Sequence, residues 1–175
     1  LFLSSYDELL EHFGIDKWHH FASQVVEGPN WKIAYDGYLD LYHLPILHKD
    51  TFGPDFPNQA IYYSWGPHQR VAGPMKGMAE MLGESEEKWP TEQLTAGVWT
   101  IFPHVSIAGF DGGGRAVLLS RLFPGEKPGT SYTVHHYLEP DEPTDEATIK
   151  AARDQVDFLR YVVAEEDYAT DLKQQ

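Results

Sequence analysis

The 175-residue chain contains no cysteine and few basic residues, with 13 Lys and Arg against 27 Asp and Glu. Without cysteine, a disulfide framework is excluded. The formal net charge of −14 argues against nucleic-acid binding, because proteins that bind nucleic acid normally present a basic surface. No apolar run reaches about 18 residues, the length of a membrane-spanning helix, so we expect no membrane span. No signal peptide is visible, and we therefore expect a cytoplasmic location.

Hydrophobic residues make up 42% of the chain and aromatic residues 14%, which indicates a folded globule. The length fits a single domain over residues 1–175. The order of candidate elements predicts an α+β fold, with a twisted antiparallel sheet and helices gathered on one side. The predicted helices are Tyr6–Phe13, Met75–Leu82, a motif helix after Asn30 and a long C-terminal helix capped by Thr144; the predicted strands are Phe21–Val26, Asn58–Trp65, His68–Ala72, Leu94–Phe102, Val105–Phe110, Ala116–Phe123 and Ser131–Leu138, with a hairpin turn at Asp111–Gly114.

The segment Asn30–His48 (NWKIAYDGYLDLYHLPILH) carries two acids and two histidines at close spacing. His43 and His48 stand five residues apart, Asp40 precedes His43 by three, and Asp36 precedes Asp40 by four. Imidazole is the commonest metal ligand that proteins offer. The segment is therefore a candidate metal-binding motif.

The local geometry of this motif depends on Pro45. On an unbroken helix, residues five apart lie on different sides of the axis. A proline disfavours helical geometry at the residue before it, here Leu44, so a helix carrying His43 can distort and bring His48 round. The spacing alone equally allows a surface helix with two ordinary histidines.

A candidate third ligand lies in the C-terminal helix. An acid on the buried face of an amphipathic helix is costly unless it is paired or bound to a metal. Two histidines and one carboxylate form the arrangement that holds Fe(II) and leaves positions open for oxygen. Alternatively, the helix frays near the acid and its carboxylate is solvated. The predicted buried stripe consists of Ile149, Ala152, Val156, Leu159, Val163, the acid Asp167 and then Leu172.

These residues resemble a known family. The pattern D-x3-D-x2-H-x4-H resembles the mononuclear iron motif of Rieske non-haem iron oxygenases, the aromatic-ring-hydroxylating oxygenase α subunits. Asn30-Trp31-Lys32 is similar to the NWK that introduces that motif. Ile101-Phe102-Pro103 is similar to a central strand segment of the family, and Glu166-Asp167 followed by Gln175 resembles its late E-D…Q helix. The resemblance covers essentially the whole chain.

The resemblance implies a helix-grip (START-like) fold, with iron held between the motif helix and the C-terminal helix over the sheet. It implies that His43, His48 and Asp167 bind Fe(II). It also implies that Asp40 is the catalytic acid that links a neighbouring subunit's Rieske centre to this iron. Asp36 matches the first acid of the motif and is expected to support the ligands from behind.

The absence of cysteine has a specific consequence for this resemblance. A Rieske [2Fe–2S] centre needs two Cys and two His ligands, so this chain cannot hold one. We expect the cluster from a Rieske domain or protein outside the chain, supplied with electrons by a reductase or ferredoxin. The chain is then a catalytic domain present as a fragment, a truncated chain or a separate subunit. Bridging between subunits implies a homo-oligomeric parent protein, and the family suggests a trimer.

The predicted function is an oxygenase domain that activates O2 to hydroxylate, dihydroxylate or demethylate an apolar, aromatic or cyclic small molecule. The alternative is a non-catalytic helix-grip module that binds an apolar ligand. A zinc hydrolase is disfavoured, because such sites often take histidines four apart with a glutamate base between them, and no base separates His43 from His48.

Two further predictions concern histidines outside the motif. His135 and His136 are consecutive in a predicted strand, so their side chains point to opposite faces of the sheet and one lines the covered face. His68 follows Gly66-Pro67 and is interpreted as a turn residue.

Overall fold

The computed structural model describes residues 2–3, 6–53, 58–73, 83–88, 97–110 and 116–174. The predicted helix Met75–Leu82 and turn Asp111–Gly114 lie outside these ranges. No helix within them is long and apolar enough to cross a membrane. In chain order the elements are α1 (Tyr6–Phe13), β1 (His19–Gly28), α2 (Trp31–Gly37), α3 (Leu44–Leu47), β2 (Ile61–Trp65), β3 (His68–Ala72), β4 (Val98–Ile101), β5 (Val105–Phe110), β6 (Ala116–Pro124), β7 (Ser131–Glu139), α4 (Glu146–Tyr161), a π-helical segment (Val162–Asp167) and α5 (Tyr168–Gln174).

The seven strands form one sheet in the order β1-β7-β6-β5-β4-β3-β2, and every neighbouring pair is antiparallel. The predicted antiparallel α+β architecture is therefore confirmed. The bounds of α1, β3 and β5 are as predicted, and β6 and β7 each run one residue further. Strand β2 begins at Ile61 rather than Asn58, because Ile61 pairs with Ala72, the last residue of β3.

The two faces of the sheet are covered by different helices. On one face, Leu122 and Val26 pack with α2 and α5, and Leu118 packs with Leu159 of α4. This is the predicted arrangement of a motif helix and a C-terminal helix over the sheet. On the other face, Val117 belongs to a cluster with Tyr6 of α1. Among the described residues, α1 therefore contradicts the prediction that the helices gather on one side.

The motif segment does not form the single distorted helix that the sequence predicted. Helix α2 starts where the Asn30 side chain accepts a hydrogen bond from the Lys32 N–H at 2.9 Å, and it ends at Gly37. Glycine is a poor helix former, and an aspartate side chain that bonds to the backbone two residues on favours a turn. Asp40 does this, since its Oδ1 accepts from the Tyr42 N–H at 2.7 Å.

Pro45 starts a new helix and does not bend the preceding one. It lies in the first turn of α3, where the missing N–H has no intrahelical acceptor to lose. His43 is the N-cap and His48 the C-cap of this four-residue helix. The two candidate ligands therefore flank one helical turn, which places both on the same side of the segment.

The C-terminal helix begins one residue later than predicted and changes its winding near its end. Asp145 caps α4, because its Oδ1 accepts from the Thr148 N–H at 2.8 Å; Thr144 is not the cap. The π-helical segment then shifts the phase of the buried face, since it contains more residues per turn than an α-helix. Tyr168 is consequently buried and Leu172 is 51% exposed, so the predicted stripe ends before Leu172.

Candidate metal centre

His48 is held in a buried and well-defined orientation. Its ring is 1% exposed, and its Nδ1 lies 2.6 Å from Oε2 of Glu166. An ionised carboxylate accepts hydrogen bonds only, so Nδ1–H donates and Nε2 points away from Glu166. The Thr51 hydroxyl donates to the same Oε2 at 3.0 Å. Phe52 adds an edge-on ring contact at 5.1 Å between centroids.

His43 is held more loosely. Its side chain is 24% exposed, and its Nδ1 lies 3.8 Å from Oδ2 of Asp40, which is 49% exposed. The rings of His43 and His48 meet edge-on with centroids 5.1 Å apart. Both rings thus turn Nδ1 towards a carboxylate and Nε2 towards the same point.

That point is occupied by Asp167. Its Oδ1 lies 2.9 Å from His48 Nε2 and 3.4 Å from His43 Nε2. One ligand atom from each of the three residues falls within 4.8 Å of the others. The predicted residues His43, His48 and Asp167 are therefore brought together from opposite ends of the chain.

The π-helical segment accounts for the direction of Asp167. This residue ends the segment, whose extra residue per turn rotates the carboxylate relative to a regular α-helix. The neighbouring Glu165 is exposed, while Glu166 and Asp167 face the two histidines. Single π turns of this kind often occur at functional sites.

The ionisation of the group is coupled. Burial by itself lowers the pKa of His48, but the hydrogen bonds and charges of Asp167 and Glu166 outweigh it and raise that pKa. Burial by itself raises the pKa of Asp167, whereas hydrogen bonds from His43 and His48 lower it overall. A divalent cation at the two Nε2 atoms and the carboxylate would replace the proton, as metals do at histidine sites. The nitrogen and oxygen donor set fits Fe(II).

The structure places the remaining motif acids differently from one another. Asp40 lies beside His43, as its predicted role requires, whereas Asp36 is exposed on α2. The carboxylate that supports a histidine from behind is Glu166, which the sequence reading noted only as part of an E-D pair. The sequence offered one signal for this role, the position of Glu166 next to Asp167. A regular α-helix would not direct both side chains at the two histidines, so the role of Glu166 depends on the π-helical segment.

A second polar group lies beside the candidate metal centre. The Tyr38 hydroxyl lies 3.3 Å from His135 Nε2, and the hydroxyls of Tyr168 and Thr133 are 2.6 Å apart. His135 is fully buried on the helix-covered face, while its neighbour His136 lies on the opposite face, with its ring 5.8 Å from that of His20 and its Nδ1 2.7 Å from the Ser23 hydroxyl. The prediction that His135 and His136 diverge is confirmed. The interpretation of His68 as a turn residue is wrong, because it begins β3, is fully buried and stacks on Tyr6.

Comparison with known proteins places this geometry in a family. A family model described as ring hydroxylating alpha subunit (catalytic domain) matches residues 15–175. No curated protein sequence matches the chain.

Among solved structures, the chain resembles the quaternary ammonium Rieske monooxygenase CntA. One such structure, described in terms of carnitine oxidation by gut microbiota and inter-subunit electron transfer, is 19% identical with a TM-score of 0.72, over 99% of this chain and 45% of that one. A CntA complex with the inhibitor MMV12 is 16% identical with a TM-score of 0.72, over 99% and 44%. A complex with its substrate L-carnitine is 16% identical with a TM-score of 0.70, over 99% and 43%.

The chain thus spans less than half the length of these solved structures, and identities this low show a shared fold alone. The family model, by contrast, covers most of the sequence, including both histidines and Asp167. The chain therefore belongs to the ring-hydroxylating oxygenase alpha subunits and corresponds to their catalytic domain.

Proposed function

We propose that this chain, as a single domain over residues 1–175, activates O2 at a mononuclear non-haem Fe(II) ion held by His43, His48 and Asp167. The observation that carries the proposal is the convergence of their three ligand atoms within 4.8 Å. Two imidazoles and one carboxylate are the donor set of non-haem iron oxygenases. When bound, the ion supplies the redox chemistry with dioxygen, which amino-acid side chains do not provide.

The protein's part begins with holding His48 in one tautomer. Glu166 accepts from Nδ1–H and Thr51 donates to Glu166, so Nε2 is kept as the metal-facing nitrogen. Supporting carboxylates of this kind orient a metal-bound histidine and raise its basicity. Asp167 adds the negative charge that favours a divalent cation at this point.

Electron supply is the proposed task of Asp40. Its half-exposed carboxylate stands beside Nδ1 of His43 and is accessible from the surface. We assign it the bridging role between His43 and a Rieske [2Fe–2S] centre of another chain or domain, since this chain has no cysteine to ligate one. A reductase or ferredoxin would reduce that centre, and a homotrimeric parent protein would bring the two metals together. Asp36, exposed on α2, is assigned a supporting role near this surface.

The proposed substrate is a small molecule, hydroxylated, dihydroxylated or demethylated in a reaction of the 1.14 class. CntA is crystallised with its substrates L-carnitine and γ-butyrobetaine. The sequence favours an apolar, aromatic or cyclic substrate.

Iron content tests the proposal. The chain is loaded with Fe(II) under anaerobic conditions, desalted and analysed for iron, and about one iron per chain is expected because this donor set holds a single ion. His43→Ala and Asp167→Ala should each lose the bound iron. Glu165→Ala, which removes an exposed acid from the same π-helical segment, and His20→Ala, which removes an exposed histidine, are the matched controls and should retain it.

Full iron retention in both His43→Ala and Asp167→Ala would contradict the assignment of the ligands. Failure of the unmodified chain to bind any iron would favour the alternative function, a non-catalytic helix-grip module that binds a small molecule.

A further inference from the structure

The helix-covered face of the sheet carries a row of polar side chains that crosses six strands. Residues paired in register across an antiparallel sheet point to the same face and lie side by side. The central four members are fully buried. In order across the sheet the row consists of Gln69, Thr100, Ser106, Ser120, His135 and Gln24. We refer to this set as the polar row.

The polar row contrasts with the residues on either side of it. Two residues along each strand, the same face carries an apolar row, and in the other direction it carries Leu122 beside Thr133. Polar groups buried without compensation cost about 1–3 kcal/mol each in proteins. The side chains of this buried row therefore need hydrogen-bond partners. The neighbouring apolar row is Val71, Val98, Ala108, Leu118 and Tyr137.

Two tyrosines of the motif segment face the polar row. Tyr35 lies beside Thr100, whose hydroxyl donates to the Gln69 carbonyl at 3.2 Å. Tyr38, three residues on, faces Ser120 and lies 3.3 Å from Nε2 of His135. Ser106 is the member of the row between Thr100, which lies beside Tyr35, and Ser120, which lies beside Tyr38.

Three atoms of the polar row are left over. Ser106 Oγ, Ser120 Oγ and His135 Nδ1 are buried and have no hydrogen-bond partner among the residues that the structure describes. Burial, with the charge of His136 added, lowers the pKa of His135 to about 4, so the ring is neutral at pH 7. The row therefore offers neutral hydrogen-bonding groups and no formal charge.

The polar row is connected to the candidate metal centre. Tyr38, which bonds to the row, lines a cavity of about 30 Å³ together with Asp167. Tyr168 follows Asp167 directly, and its hydroxyl lies 2.6 Å from that of Thr133, two residues from His135 on the same face. The row and the three metal-facing side chains thus belong to one continuous layer between sheet and helices.

We infer that, in the oxygenase proposed above, the polar row is the floor of the substrate site and selects a small molecule with a neutral hydrogen-bonding oxygen or nitrogen, such as an alcohol, carbonyl or amide. Ser106 and His135 hold that group, while a neighbouring carbon faces the metal centre. A pure hydrocarbon leaves the row unsatisfied. A carboxylate finds no cation in the row and lies near Asp167, in a chain of net charge −14. This adds one neutral polar group to the apolar, aromatic or cyclic substrate that the sequence predicts.

The test uses three probes of similar size, namely benzyl alcohol, toluene and benzoate. Their binding to the Fe(II)-loaded chain is measured by ligand-detected NMR titration. Benzyl alcohol should bind tighter than the other two. Ser106→Ala should weaken the binding of benzyl alcohol by about three- to tenfold, the contribution of one hydrogen bond, and leave the affinity for toluene unchanged. Ser23→Ala, on the opposite face of the sheet, is the matched control and should change nothing.

Thermal unfolding of the same variants separates ligand binding from a structural role. If Ser106 is kept for a ligand, Ser106→Ala should hold or raise the melting temperature, because it removes a buried hydroxyl without a partner. A lowered melting temperature with unchanged probe affinities would overturn the inference, as would equal or tighter binding of toluene or benzoate, or binding of none of the three probes.

Failure of this inference is distinguishable from failure of the proposed function. The same titrations are repeated on the iron-free chain, and iron content is measured separately. A preference for benzyl alcohol without iron binding would support ligand binding at the polar row and contradict the oxygenase function. Iron binding without the preference would do the reverse.

Discussion

The two histidines of the candidate metal centre are held by opposite kinds of environment. His48 is buried, and its Nδ1 meets the largely buried Glu166 at 2.6 Å. His43 is partly exposed, and its Nδ1 meets the half-exposed Asp40 at 3.8 Å. The Glu166 side also carries a third group, since the Thr51 hydroxyl holds the carboxylate in place. On the other side, the Asp40 carboxylate is half-exposed, and the Tyr42 N–H donates to its Oδ1 at 2.7 Å.

The difference suggests a division of labour within one donor set. A short hydrogen bond to a buried carboxylate fixes the ring and its tautomer. A long contact to an exposed carboxylate fixes little, but it leaves that carboxylate accessible from the surface. His48 and Glu166 are therefore suited to holding the metal in place, and His43 and Asp40 are suited to receiving electrons from a Rieske partner.

The largest expected effect is on stability. His48→Ala should lower the free energy of unfolding of the metal-free chain by about 3 kcal/mol, because it removes a buried ring and leaves Glu166 without its partner. His43→Ala should lower it by less than about 1 kcal/mol, because that ring is partly exposed. Urea unfolding measures both. Equal losses in the two variants would contradict the distinction between a firmly held His48 and a loosely held His43.

The next effect concerns iron affinity. Glu166→Gln should weaken Fe(II) binding by about 10- to 100-fold, as removal of supporting carboxylates does at other metal sites. Asp40→Asn should weaken it by about fivefold or less, because an exposed charge pair contributes about 0–1 kcal/mol. Competition with a metal-binding dye under anaerobic conditions gives both values. A larger loss for Asp40→Asn would reverse the proposed roles.

A pH effect of intermediate size should distinguish His48. Its pKa is raised on folding, so its contribution to stability is complete below its ordinary pKa of about 6.5 and is lost as pH rises through the folded value. The pKa of Asp167 is lowered, so its contribution is present above about 3.8 and is lost as pH falls through the folded value. As the pH rises above about 6.5, the metal-free chain should therefore lose stability. His48→Ala should lack this loss, whereas His20→Ala should keep it.

The smallest expected effect is that of Asp171 on the melting temperature. Burial, with the charge of Asp167 added, raises the pKa of Asp171 to about 6. A raised carboxyl pKa means that stability is lost as pH rises from about 3.8 to 6. Asp171→Asn should therefore raise the melting temperature by about 2–4 °C at pH 7 and have no effect at pH 3.5. A melting temperature unchanged at pH 7 would show that solvent screens this carboxylate.

The strands and the ligand set were largely predictable from the sequence. Strand β5 and strand β3 have the predicted bounds because alternating patterns and turn residues delimit them locally. The H-x4-H pair and the acid on the buried side of the last helix identified His43, His48 and Asp167 as candidates. These inferences depend on residue type and spacing, which a sequence displays directly.

The details that position the ligands were not predictable in the same way. The end of α2 at Gly37 follows from competition between helix continuation and the turn that Asp40 stabilises, and the two differ by a small free energy. The π-helical segment depends on contacts of its residues with β1 and α5, because isolated propensities do not favour such a turn. The role of Glu166 followed from that turn.

By itself, the sequence determined the class of fold, the family and the three residues with metal-binding chemistry, because these depend on the kind and order of side chains. Only the tertiary structure decided that Glu166 supports His48, that Asp40 stays open to the surface and that six strands align one polar row. Such features arise when residues far apart in sequence meet in one register, which no local pattern specifies.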